Sequence, residues 1–207
     1  MPLLPLVLSV RALPMMAGGD EWQEPLCRPG ETLPCQFCGC AAAGWQVSLP
    51  HADDDAGQAP VGGVSCCVLC ELSLRLDRPA IAQEAKLVWL PEMSQAALNV
   101  LARRIHLVLH RHDEPPHMER RPQIDTPAIR GAWCALTALQ ARADAAAARL
   151  GTSAPCDLAA ALLRLSPSAY ARRGALLAGV RLLPRGRYFQ DGEDIYPQLL
   201  DALPAGA

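Results

Sequence analysis

Six of the nine cysteines fall in two short words, Cys35-Gln-Phe-Cys38-Gly-Cys40 and Cys66-Cys67-Val-Leu-Cys70, and no other feature of the chain narrows its fold as much. Two residues between a pair of cysteines let the backbone turn so that both sulfurs face one point. Two such turns supply four thiolates at about 2.3 Å from a tetrahedral zinc ion. The spacing selects Cys35, Cys38, Cys67 and Cys70 as ligands of one structural zinc per chain. Cys40 and Cys66 are possible substitutes for Cys38 and Cys67, because near-adjacent thiols can exchange ligand duty. Gly39 follows the second sulfur, where such a turn often demands a positive φ. The loop between the words is long, but loop closure costs rise only slowly with length.

The competing readings are a disulfide framework, which needs an oxidising compartment, and scattered free thiols, which leave the paired spacing unexplained. Cys134 and Cys156 fall in helical sequence and read as buried apolar residues, and Cys27 has no assigned role. A site closed by four thiolates has no open coordination position for a substrate or an activated water. Its expected contribution is folding free energy.

With 51% hydrophobic and 19% charged residues, the 207-residue chain is globular and not a disordered tail. An aromatic content of 4% leaves few rings for a stacking platform that reads single-stranded nucleic acid. Charge is uneven: residues 1–102 carry 5 basic and 11 acidic side chains, residues 103–187 carry 14 and 6, and residues 188–207 carry 0 and 4. A basic middle between acidic ends suits phosphate or an acidic protein surface. Residues 1–10 are apolar but lack a basic start and are broken by Pro2 and Pro5, so they read as part of a strand over 3–12 and not as an export signal. No window is long and apolar enough for a membrane helix, and a soluble, cytoplasmic protein is expected.

A strand over 45–49 alternates between the knuckles and runs into an acidic turn carrying His51. This order of knuckle, strand, loop and knuckle resembles the zinc-bound ββα frame of HNH nucleases, in which a histidine at the strand end activates water. His51 matches that place, but the stretch 61–65 before Cys67 has no His or Asn to hold a catalytic metal, and a degenerate scaffold is expected. A strand over 87–90 stops at Pro91, and Pro91-Glu92-Met93-Ser94 opens a helix with apolar positions at 93, 97, 98, 101, 105, 108 and 109 forming one core face. His106 and His110 stand at i and i+4 but lack the neighbouring glutamate of a chelating helix, and read as surface histidines.

Residues 112–122 read as a linker. Thr126-Pro127 then caps one long helix to Gly151, with Trp133, Leu136, Leu139 and Ala143 on a stripe. A helix over 155–165 follows, Ser166-Pro167 starts another that exits at Gly179, residues 180–188 form a loop or irregular strand, and a short helix covers 195–203. The fold class is α+β: a small HNH-like zinc-bound module of short strands and two knuckles (1–90) packed on a mainly α-helical part (91–207) as one compact unit.

Four words together resemble the IcmJ family, also called DotN, of the type IVB (Dot/Icm) secretion systems: Cys-Gln-Phe-Cys-Gly at 35–39, Cys66-Cys67-x-x-Cys70, Trp-Leu-Pro-Glu-Met-Ser-Gln-Ala-Ala-Leu at 89–98, and Arg-Leu-Leu-Pro at 181–184. The resemblance implies a cytoplasmic subunit of the coupling complex, peripheral to the inner membrane through its partners. It also implies binding to the C-terminal extension of the coupling ATPase beside adaptor proteins, and zinc on an HNH-like frame without nuclease activity. The chain departs from the family pattern in its Pro- and Ala-rich composition and its shorter, acidic segment between the knuckles. The other function classes are an HNH-like metal-dependent nuclease using His51 and a zinc protein that binds nucleic acid through the arginines of 103–187.

Overall fold

The computed structural model describes residues 3–10, 34–42, 44–49, 64–117, 120–122 and 126–203. Strand β1 (Gln46–Leu49) pairs antiparallel with β2 (Val64–Cys67), Gln46 opposite Cys67 and Leu49 opposite Val64. Helix α1 (Val68–Leu74) leaves directly from β2, so Cys67 is both the last strand residue and the N-cap, with the extended backbone (φ −82°, ψ 158°) that a cap requires. The first knuckle lies against this hairpin: Gln36 N–H donates to Ser65 O at 3.0 Å, and Val68 N–H donates to Trp45 O at 3.0 Å.

The remainder assembles around α3 (Gln95–His110), which is capped by Ser94 accepting from Ala97 N–H. A short α2 (Ile81–Glu84) leads into β3 (Ala85–Trp89), which pairs antiparallel with a distant β4 (Val180–Pro184), Leu87 opposite Leu182. Between them run α4 (Pro127–Gln140), α5 (Ala143–Leu150), α6 (Pro155–Leu163), α7 (Pro167–Ala171) and α8 (Arg173–Leu176). Thr126 and Ser166 cap α4 and α7 through their hydroxyls, each ahead of a proline at the first helical turn. The small hairpin of β5 (Phe189–Gln190) and β6 (Glu193–Asp194) precedes α9 (Tyr196–Asp201). The architecture is a mixture of helices and small antiparallel pairs.

Two apolar clusters divide the interior. One holds Val88, Leu98, Ile105, Leu109, Ile129, Leu136 and Leu183, the seam between α3, α4 and the β3–β4 pair. The other runs from Leu8 and Phe37 through Trp45, Leu69 and Leu72 to Tyr196 and Leu203, so residues from both ends of the chain share it. Buried ions tie α1 to the C-terminal hairpin. Arg78 bonds Glu84 at 2.9 Å, Glu71 at 3.3 Å and the Phe189 carbonyl at 2.8 Å, and Tyr188 donates its hydroxyl proton to Glu71. Glu71 and Glu84 are buried, and removing one partner of such a group costs about 3–5 kcal/mol because the other charge stays behind.

Several expectations are corrected. Residues 3–10 form no strand or helix and belong to no sheet among the described residues. Leu4 N–H to Gln36 O and Ser9 N–H to Ser73 O pin them across the knuckle and α1, too sparsely to form a ladder. The long helix expected over 126–150 is interrupted at Ala141 and Arg142, where Arg142 N–H turns back to Leu139 O; the Arg142 carbonyl then accepts both from Ala146 N–H, which opens α5, and from Trp89 N–H of β3. The helix expected after Ser166 is likewise two short ones, and residues 180–184 form a regular paired strand. On α3 two faces are buried instead of one: the apolar stripe meets α4, while Gln95, Asn99, Ala102 and His106 are buried on the other side.

The exit at Gly179 gives a direct test. Its φ is +84°, and a Cβ there would stand 2.6 Å from Trp89 Cη2. Gly179→Ala is expected to lower the unfolding free energy by about 1–3 kcal/mol in urea. Gly131→Ala, on α4 with nothing within 4 Å, should be neutral or stabilising by about 0.5–1 kcal/mol. Equal midpoints for the two variants would exclude the close approach of Trp89 to Gly179.

Candidate metal centre

Each knuckle is built by local hydrogen bonds. Cys35 N–H donates to Cys40 O at 2.7 Å and Gly39 N–H donates to Cys35 O at 2.8 Å, closing a turn that Gly39 completes at φ +72°. The second pair needs no separate turn, because the strand-to-helix junction puts Cys67 at the cap and Cys70 within the first helical turn. The sulfurs of Cys35, Cys38, Cys67 and Cys70 all lie within 4.8 Å of one another, and Cys38 and Cys67 are 3.5 Å apart. A tetrahedron with zinc–sulfur bonds of about 2.3 Å has sulfur–sulfur edges of about 3.8 Å. The four groups therefore fit a metal ion such as zinc in both donor type and spacing.

Their electrostatics point the same way. Cys35 is held far below the ordinary thiol range by hydrogen bonds from Cys38, Cys67 and Cys70. Cys67 and Cys70 are pushed up, first by their hydrogen bonds to Cys35, and burial adds to both. Sulfurs this close compete for protons as thiols and repel one another as thiolates, a conflict that a divalent cation relieves by accepting all four as thiolates. Cys35, Cys67 and Cys70 are buried and Cys38 is partly exposed, so access is from the first knuckle.

The alternatives separate. Cys66 precedes Cys67 in β2 and so points to the opposite side of the hairpin; it is buried there, burial raises its thiol pKa, and it is outside the converging group. Cys40 is also outside it, although a hydrogen bond to Cys67 lowers its pKa to about 6. Cys134 and Cys156 are exposed, contrary to expectation: they occupy the solvent faces of α4 and α6, whose buried faces carry Leu136 and Leu158. Cys27 and His51 lie outside the described residues.

Sequence reasoning missed what α3 brings to the sulfurs. Asn99 Nδ2 donates to Cys70 Sγ at 3.4 Å, and Arg103 Nη1 approaches Cys38 Sγ at 4.0 Å. Burial works against the charge of Arg103, but the sulfurs of Cys40, Cys38 and Cys67 outweigh it and hold its pKa above the ordinary value. The signal was a polar residue every fourth position, Gln95, Asn99 and Arg103, on a helix rich in Ala, Leu and Val.

His106 continues that face and is fully buried, not a surface residue, because α9 covers it. Its Nδ1 pairs with the Tyr196 hydroxyl at 2.9 Å, and Tyr196 packs edge-on against Trp45, whose Nε1 donates to Leu199 O at 2.6 Å. His110, four residues on, reaches Asp201 at 2.7 Å.

Cys38→Ser and Cys70→Ser are each expected to lose both zinc and solubility, whereas Cys134→Ala should retain one zinc by elemental analysis; loss of metal from the last variant would overturn the ligand choice. His106 supplies a pH dependence. Burial, and then His117, push its pKa down to about 3. Below pH 6.5 the unfolded imidazole binds a proton that the folded one refuses, so stability falls as pH drops from 6.5 toward 3, with a slope approaching 1.4 kcal/mol per pH unit. Between pH 7 and 5 the wild type should lose about 2 kcal/mol more than His106→Phe, and parallel pH profiles would refute the buried neutral imidazole. No protein-family model matches the chain and no curated protein matches it, so the chemistry of the site rests on its own residues.

Proposed function

We propose that this protein is a non-enzymatic, zinc-stabilised adaptor subunit of a type IVB secretion coupling complex, which binds the C-terminal extension of the coupling ATPase and helps recruit protein substrates. The observation that carries the proposal is the convergence of Cys35, Cys38, Cys67 and Cys70. Four thiolates saturate a tetrahedral zinc, leaving no position for substrate or water. The order of knuckle, hairpin and helix supports an HNH-like frame used as a scaffold. The IcmJ-like words fall on elements that surround it: the knuckles, the β3–α3 junction and β4. On this reading the protein works in the cytoplasm, attached to the inner membrane only through its partners, and none of its helices among the described residues is long and apolar enough to cross a membrane.

The binding mode follows from the same parts. A metal module and helices packed on it offer a rigid surface on which an extended segment loses little more than its own conformational freedom. Purified protein is expected to carry one zinc per chain, to bind the isolated C-terminal extension of the coupling ATPase in calorimetry, and to leave supercoiled plasmid intact with Mg2+ or Mn2+. Absence of binding would overturn the adaptor role. Metal-dependent nicking abolished by His51→Ala would establish the nuclease instead.

A further inference from the structure

Helix α3 meets the metal centre with two side chains one turn apart, each directed at a different cysteine pair. We infer that Asn99 and Arg103 form a hydrogen-bonded clasp across the two halves of the centre: positioning residues that stabilise the thiolates of Cys70 and Cys38 and make the bound zinc slow to leave. The inference rests on the reading of the four sulfurs as a zinc site.

Asn99 is oriented without ambiguity. Its Nδ2 donates to Leu69 O at 3.1 Å as well as to Cys70 Sγ, and its Oδ1 accepts from Gln95 Nε2 at 2.9 Å. Turning the amide over would set oxygen against both the carbonyl and the sulfur. Gln95 is fixed in turn by β4: its Nε2 donates to Leu182 O and its Oε1 accepts from Leu182 N–H, both at 2.8 Å. A buried side chain held at every polar atom has one rotamer, so its bond to the sulfur is made in advance and not adopted when metal arrives. Arg103 approaches Cys38 from the more open side, with its guanidinium carbon 5.7 Å from the Trp45 ring centroid.

Charge gives the clasp its purpose. A divalent ion with four thiolates carries a net charge of −2, and a buried anion without donors or a counter-charge is strongly disfavoured. Asn99 supplies a donor at the buried sulfur, and Arg103 supplies a positive charge at the exposed one. Donors to a metal-bound thiolate lower the energy of its lone pair, which slows proton attack on the sulfur and release of the metal. Loss of such outer partners typically costs roughly 10–100-fold in metal affinity.

The test uses the full chain and two readouts: the rate of zinc transfer to a coloured chelator, and the sulfur-to-metal charge-transfer band of the Co2+-substituted protein. Arg103→Met and Asn99→Leu are expected to release zinc roughly 10–100-fold faster than wild type. Both should also move the band to lower energy, and Arg103→Lys should recover part of the rate. A purely structural role for α3 would speed release without moving the band, and that result, or wild-type rates in both variants, overturns the clasp. Should Asn99→Leu fail to fold, the partly exposed Arg103 variants decide alone. A wild-type chain that binds no zinc overturns the site reading and the clasp with it, whereas a zinc-loaded wild type with unaltered variants removes only the clasp.

Discussion

Four sulfurs brought within 4.8 Å of one another, three of them buried, impose a demand that the surrounding structure has to meet. As thiols they compete for few protons and make weak hydrogen bonds; as thiolates they repel unless a cation lies between them. The elements around them are arranged for the second state. β2 runs straight into α1 so that two sulfurs arrive at a helix start, where the aligned peptide dipoles favour negative charge. The first knuckle is held to β2 by Gln36, and α3 supplies an amide and a guanidinium from the other side.

The polar contacts continue beyond the centre in an order that explains the fold's connectivity. From Cys70 they pass through Asn99 and Gln95 to the backbone of Leu182, the residue of β4 that lies opposite Leu87. One residue after Cys70, Glu71 begins a second network through Arg78 and Tyr188 to the C-terminal hairpin. Both lead from α1 to segments more than a hundred residues later. Buried polar groups of this kind add little net stability when satisfied but exclude packings in which they are not. They therefore serve to select one docking of the helices on the metal module out of the many an Ala- and Leu-rich surface would accept.

What was legible in the sequence was local. The knuckle spacing named the sulfurs that converge, Gly39 has the positive φ its position suggested, and Thr126-Pro127 and Ser166-Pro167 begin helices because capping chemistry acts within four residues. The misreadings have tertiary causes. His106 looked like half of a surface pair because nothing nearby announces that α9 will cover it. Cys134 and Cys156 looked buried because cysteine usually is, yet each faces away from the leucines that anchor its helix. The break at Arg142 is a tightened turn beside β3, whose Trp89 N–H adds a second bond to the Arg142 carbonyl, a tertiary contact that no property of α4 predicts. The polar stripe on α3 was visible, but only a partner bearing sulfur turns Gln95, Asn99 and Arg103 from tolerated polar residues into a reason for the helix to be there.

That stripe also bears on where the free energy of metal binding goes. On one side α3 packs Leu98, Ile105 and Leu109 into a cluster with α4, a dry contact that survives any change at the sulfurs. On the other side its polar contacts are directional: Asn99 to Cys70, Arg103 to Cys38, and the neutral His106 to Tyr196. A helix seated on one neighbour by area and on the other by specific donors leaves the second seat when those donors lose their acceptors. On the zinc reading proposed above, metal binding would act beyond a local staple of the knuckles: by keeping the sulfurs charged it would hold α3 against the hairpin, and Gln95 would extend that hold to the backbone of Leu182 in β4.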